Sequence, residues 1–281
     1  MLDELISGRI RKRVVGSEED CYRLWGEEKL FTLSPVDMTI KASALVTSLD
    51  WVFVAGYQGA LKHTFPDDKF LGWSAFLFTE NNESSSEYSP TKIVETDRGR
   101  MLHGSKSWVA QSRSVDRLVV TLNSDKDIIS EVGGVIVDRY NDGVQISSRG
   151  EPKFLKKMSQ GIAIFHEVSV EDSQVFEPSL VRRFVKMESH YIILAVLSFL
   201  TAHLIVSRNG LFDRLVDVLT DYRDILKTNN EKEIKNLSSM GPTVQRCTDD
   251  FLSAREEYLV SWGSDVKLLY MYISGTRKKK R

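Results

Sequence analysis

The spacing of apolar residues along the chain changes period twice. Residues 1–17 are mixed and basic, with Gly8 and Gly16, and predict a short helix and a loop. Ser17-Glu-Glu-Asp20 then supplies an N-cap and first-turn acids ahead of Cys21, Leu24, Trp25, Leu30 and Phe31. Ser34-Pro35-Val-Asp37 repeats that signal before a longer helix over 38–64. There Leu45, Leu49, Val52, Phe53, Tyr57, Ala60 and Leu61 recur at three- and four-residue steps and draw one apolar stripe. Gly56 and Gly59 sit within it and permit close approach of another element.

At Phe70 the period falls to two. Strands are predicted at 73–79, 91–95, 101–102, 107–110, 118–122, 133–137, 144–147 and 162–170, with Asn141-Asp-Gly143 as a turn and the polar, serine-rich 81–89 as a loop. Gly104 and Lys106 read as a break between two short strands. Short strands at this spacing predict an antiparallel sandwich or barrel. Pro178-Ser179 ends the β-pattern, and the helical period returns at 179–207, 211–228, 231–259 with a break near Gly241-Pro242, and 261–279, the pattern of an antiparallel four-helix bundle. The expected class is therefore α+β in three parts: an N-terminal helical part at 1–69, a middle β-domain at 70–176 and a C-terminal helical bundle at 177–281.

Composition narrows the function classes. Apolar content of 42% and charged content of 27% are ordinary for a globular protein, and a formal net charge of -1 gives no global electrostatic case for nucleic acid or an anionic membrane. The basic run Arg277-Lys-Lys-Lys-Arg281 reads as a solvated helix end. Cys21 and Cys247 lie far apart and outside any metal-ligand spacing, as expected of reduced thiols in a cytoplasmic protein. Met1-Leu-Asp-Glu-Leu-Ile-Ser has no basic start or apolar middle, so export is not expected. The apolar stretch 191–206 is interrupted by Ser198, Thr201 and His203 and falls short of the ~20 residues of a membrane span, so it is expected as a buried core helix. There is no glycine-rich dinucleotide or P-loop motif, no zinc spacing and no nucleophile elbow.

Several segments agree in order and spacing. Trp73-Ser-Ala-Phe-Leu-Phe-Thr79-Glu80 reads as a strand ending in Thr-Glu; Gly104-x-Lys106-x-Trp108 follows; then come β-patterned runs at 134–137, 143–146 and 162–168. This resembles the middle β-domain of the acyl-CoA dehydrogenases over about 70–178, and the likeness continues more faintly into both helical parts. The resemblance implies FAD. Thr79 matches the position that touches the pyrimidine side of the flavin, Trp108 the ring that lies against it, and Ser85, with Ser84, the loop that faces the cofactor phosphates. Ala110 stands where most members carry a Thr or Ser that bonds flavin N5.

The reaction implied is removal of a proton beside a thioester carbonyl while a hydride leaves the neighbouring carbon, on an acyl-CoA or acyl-carrier-protein substrate. Glu188, in Val185-Lys-Met-Glu188-Ser-His190-Tyr191, resembles the base that some members carry early in the first helix after the β-domain, whereas His190 is expected to be structural. A homo-oligomer, or a heteromer with a related subunit, is implied by the family and by the apolar content of 191–206 and 268–273. The family's Arg-x-x-Phe-Gly segment has no counterpart beyond Ser207-Arg208-Asn-Gly-Leu-Phe212, the Gln and Gly-Gly segment is missing, and the 81–89 loop lacks glycines and carries Glu83 and Glu87. Together with Ala110, these departures keep open a second reading, a non-catalytic member serving as a structural or regulatory partner.

Overall fold

A computed structural model describes residues 1–80, 90–122 and 133–274, apart from the side chain of residue 259. The chain forms two compact units. One comprises Met1–Gly16, Arg23–His63 and Met187–Arg281; the other comprises Ser17–Tyr22 and Thr64–Lys186.

The first unit is helical. Its N-terminal elements are α1 (Leu2–Ile6), the second half of α2 (Glu18–Glu27), α3 (Pro35–Leu45) and α4 (Leu49–Thr64). The two predicted caps are present: the Asp20 amide donates to Ser17 Oγ at 3.1 Å and the Asp37 amide to Ser34 Oγ at 3.2 Å, with Pro35 opening α3. The long helix expected over 38–64 is instead two helices. The Leu45 carbonyl is taken by the Arg13 amide, Val46 turns extended, and the Trp51 indole donates to the Val15 carbonyl at 3.1 Å. A segment more than thirty residues upstream thus captures the carbonyl that would have continued the helix.

The C-terminal part also has more breaks than expected. Where four helices were predicted, six form among the described residues: α5 (Pro178–Leu204), α6 (Gly210–Thr228), α7 (Glu231–Leu237), α8 (Gly241–Ala254), α9 (Glu256–Trp262) and α10 (Asp265–Ile273). The break expected near Gly241-Pro242 is present as a 3-10 turn at Ser238–Met240, and a non-helical Arg255 adds a division of the predicted third helix that was not expected. By length and composition α5 would suffice to cross a membrane, but 83% of its most apolar window is buried within the protein. Gly56 and Gly59 of α4 explain that close packing. A Cβ at Gly56 would come within 2.6 Å of the Ile192 backbone, and one at Gly59 within 2.6 Å of the Tyr191 ring.

The second unit is a β-sandwich. One sheet has the order β1 (Ser74–Leu77), β4 (Arg117–Thr121), β5 (Gly134–Asp138), β8 (Val175–Phe176); the other has β2 (Lys92–Thr96), β3 (Gly99–Ala110), β7 (Gln160–Ser169), β6 (Val144–Ser148). Residues of both sheets, among them Leu77, Leu118, Val135, Leu102, Val109 and Phe165, share one buried cluster. Two features correct the sequence reading. The β1–β4 pair is parallel, so the sandwich is not wholly antiparallel. The two short strands expected on either side of Gly104 and Lys106 are one twelve-residue strand, β3, whose pairing with β7 shifts between Leu102 and Gly104 and again between Lys106 and Val109. The residues read as a break are bulges, which keep a strand in its sheet while bending it.

Ser17–Tyr22 joins this unit through side chains that sequence had treated as ordinary first-turn polar groups. Glu18 is 2% exposed and accepts hydrogen bonds from the Ser114 amide and from both the amide and hydroxyl of Ser159. Tyr22 donates to Asp116 at 2.8 Å and meets Trp73 edge-on.

Candidate functional site

The Thr-Glu and Gly-x-Lys-x-Trp motifs come together in the β-unit, and the residues between the named ones do the joining. Lys106 is 1% exposed; its Nζ donates to Glu80 Oε1 at 2.5 Å, to Thr121 Oγ1 at 3.1 Å and to the Phe78 carbonyl at 3.2 Å. Glu80 Oε2 in turn accepts from the amide and hydroxyl of Thr91. A buried ammonium therefore ties the end of β1 to β3, β4 and the start of β2. Burial holds the Lys106 ammonium below the usual lysine range, and the facing Glu80 carboxylate opposes that shift.

Gly104 makes the arrangement possible. Its φ is +131°, and a Cβ there would lie 2.3 Å from Thr91 Cα, so no other residue lets β2 approach β3 this closely. The sequence pattern identified Gly104 and Lys106, but not that they, Glu80, Thr91 and Thr121 form one clamp. The only sequence-level signal was a lysine on an otherwise β-patterned segment.

The clamp sets the two ring-facing candidates. Thr79 is exposed, and its carbonyl accepts from the Ser107 amide at 2.9 Å, which places it beside the residue that precedes Trp108. Trp108 is half-buried and lies within the second bulge of β3. The Thr79 backbone thus lies one residue from Trp108, and an exposed threonine and a partly accessible indole are residue types that can give a planar heterocycle such as a flavin ring a donor and a flat wall. Ala110 is wholly buried opposite Gln160 and presents no polar side-chain atom. Ser85 and Ser84 lie outside the described residues, as does the basic run at 277–281.

Glu188 belongs to the helical unit. It lies on α5, is 5% exposed, and accepts a hydrogen bond from the Tyr272 hydroxyl of α10 at 3.2 Å. Tyr272 is itself 6.1 Å from the Phe53 ring, which stacks on Tyr57 at 5.7 Å, so the carboxylate is held within an aromatic neighbourhood. His190 is buried and shares a 3.0 Å hydrogen bond with Tyr222, in keeping with its structural assignment. In the Ser207–Phe212 segment, Arg208 donates to the Ile6 carbonyl and Asn209 caps α6 through the Phe212 amide. A shallow groove of about 400 Å³ beside Arg139, Tyr140, Asp142 and Ile146 includes none of the predicted site residues. Among the described residues, no group of three or more His, Cys, Asp or Glu side chains is placed to hold a metal ion.

No family model matches the chain, and no curated protein does. Solved structures do match over nearly its whole length. An FAD-dependent dehydrogenase aligns with a TM-score of 0.66 at 15% identity, covering 98% of this chain and 94% of its own. The prolyl acyl carrier protein oxidase AnaB gives 0.62 at 10% identity, covering 97% and 88%. Butyryl-CoA dehydrogenase from Megasphaera elsdenii gives 0.59 at 12% identity, covering 98% and 87%. The fold is acyl-CoA dehydrogenase-like.

Proposed function

We propose that the chain is an FAD-dependent dehydrogenase of acyl thioesters, with Thr79 and Trp108 against the flavin ring and Glu188 as the base. The observation that carries this reading is the Glu80–Lys106 clamp, which holds the Thr79 backbone against Ser107, the residue before Trp108. The fold shared with butyryl-CoA dehydrogenase and with a prolyl carrier-protein oxidase supports the substrate class. When bound, FAD supplies the hydride acceptor. Glu188 takes the proton beside the thioester carbonyl, and the Tyr272 hydroxyl fixes its carboxylate in one orientation. Thr79 and Trp108 are the residues that would hold the ring, the threonine hydroxyl as a donor to its polar edge and the indole as a flat surface against it.

The test is flavin content followed by reduction. The purified chain, alone or with a natural partner subunit, is expected to carry FAD whose fluorescence is quenched by the indole. Trp108→Ala weakens retention. Glu188→Gln keeps the flavin but abolishes its bleaching by an acyl thioester, since it removes the base without touching the ring. A colourless preparation that takes up no FAD refutes the enzyme reading. Bleaching by Glu188→Gln at the normal rate refutes the choice of base alone.

One observation favours the second reading, a non-catalytic partner subunit. Ala110 puts a buried methyl at the position where most family members place a hydroxyl on the flavin. That reading predicts a chain that associates with a related subunit and holds no flavin of its own.

A further inference from the structure

Within the helical unit, four of the five residues in Arg9-Ile-Arg-Lys-Arg13 are cationic. The three arginines are exposed, and among the described residues no carboxylate pairs with any of the four. The segment is fixed across the C-terminal end of α5. Arg208 donates to the Ile6 carbonyl at 3.3 Å, and a Cβ on Gly8 would lie 3.1 Å from the Ile205 side chain. Arg255 donates to the His203 carbonyl at 3.1 Å. Partial burial, and then the charge of Arg255, hold the Lys12 ammonium below its ordinary range. Arg255, through the His203 carbonyl, and Arg208, four residues past Leu204, thus lie at the end of α5, and Lys12 is close enough to Arg255 for their charges to oppose one another.

The local acids only partly offset this charge. Glu257 pairs with Arg255 at 3.3 Å on exposed surface, and Asp3 and Glu4 lie in α1. Since the chain as a whole has a net charge of -1, the cations are segregated here. Two apolar side chains adjoin these cations in the chain, Val14 directly after Arg13 and Val206 two residues before Arg208. Val206 is 97% and Val14 91% exposed, the highest values for large hydrophobic residues among those described.

Like charges held together with fewer counter-ions than cations are a standing repulsion that an anionic partner relieves. The valines select the kind of partner. A protein interface sets apolar contacts within a polar rim. A single-stranded nucleic acid asks for exposed aromatic rings, and a membrane surface for a longer apolar face than two valines. We propose that Arg9, Arg11, Lys12, Arg13 and Arg208, with Val14 and Val206, form the docking surface for an acidic protein. Resting on the thioester reading above, that protein is the carrier domain bearing the acyl group, so the chain takes its substrate on a carrier protein in preference to CoA.

Two measurements on the full-length chain test this. In the first, a fluorescent acyl carrier protein is titrated against the wild type and against an Arg9→Glu, Arg11→Glu, Lys12→Glu triple variant, at low and high salt. The expected result is a loss of affinity on the order of tenfold or more in the variant, and a marked salt dependence in the wild type only. Val206→Asp, which leaves every cation in place, is expected to weaken binding as well. Equal binding by wild type and triple variant overturns the proposal, as does tighter binding of a DNA duplex or of phosphatidylserine vesicles than of the carrier protein. In the second, flavin reduction by the acyl-carrier protein is compared with reduction by the same acyl group on CoA. The triple variant is expected to raise KM for the carrier-bound substrate and to leave the CoA thioester unaffected; an equal rise for both overturns the choice of carrier. If neither thioester reduces a flavin while salt-dependent carrier binding persists, the thioester dehydrogenase reading falls and the docking surface stands.

Discussion

Replacing Lys106 by Met retains most of the side-chain volume and removes the ammonium that joins β1 to β3. Three acceptors lose their donor: Glu80 Oε1, Thr121 Oγ1 and the Phe78 carbonyl. Removing one partner of a buried pair costs about 3–5 kcal/mol, because the other charge is left behind. Two features place this site at the lower end of that range. The Glu80 side chain is 17% exposed, and its second oxygen keeps both Thr91 donors. The expected loss is about 3 kcal/mol, a large part of the ~5–15 kcal/mol of a typical protein.

The assay is urea unfolding at neutral pH of the wild type, Lys106→Met, Glu80→Gln and the double variant. Removing both charges leaves no buried ion, so the double variant is expected to recover about half of the loss. A loss below about 1 kcal/mol in Lys106→Met, or strictly additive single effects, refutes the clamp. The pH dependence is a second signature. Because the folded pKa of Lys106 is depressed, the unfolded chain holds a proton that the folded chain has already released, over a stretch of alkaline pH just below the ordinary lysine value. The wild type therefore gains stability as pH rises through that stretch, and Lys106→Met does not.

Two further outcomes are expected. Burial is the main cause that pulls the pKa of His203 down to about 4, with Lys12 and Arg255 adding to it. The unfolded chain thus takes up this proton first as pH falls from about 6.5 to 4, and the site loses up to about 3 kcal/mol of stability over that window. His203→Leu is expected to flatten that part of the acid-unfolding curve, and an unchanged slope would contradict the assignment. Tyr272→Phe removes a hydroxyl donated to buried Glu188, which is expected to cost about 1–2 kcal/mol in denaturant unfolding. In a flavin-loaded preparation the same variant is expected to slow bleaching by an acyl thioester without loss of flavin; an unaltered rate would remove Tyr272 from any role in orienting the base.

Much of the candidate site was legible because its residue types are unusual in their local setting. A lysine two residues before a tryptophan on a strand, a Thr-Glu at a strand end and a glutamate at the edge of the longest apolar run all stand out against the surrounding pattern. Other parts were not legible. Glu18 reads as a solvated first-turn acid, yet it is buried because Ser114 and Ser159, about a hundred residues away or more, bring it three donors. Tyr272 reads as one apolar-face residue of a late helix, and only the packing of α10 brings its hydroxyl to Glu188.

The switch of apolar period from 3.6 to 2 and back, the caps at Ser17 and Ser34, and the positions of most strands follow from sequence alone, because they depend on neighbours within one or two turns or along one strand. Tertiary structure decided the rest. Helix α3 stops at Leu45 because Arg13 takes its carbonyl; β3 runs through Gly104 and Lys106 because β2 and β7 pair on both sides of it; β1 lies parallel to β4 because the intervening strands β2 and β3 belong to the other sheet. In each case the deciding hydrogen bond joins residues far apart in the chain. A pattern read along the sequence records which side chains seek burial, but not which distant backbone group will meet them.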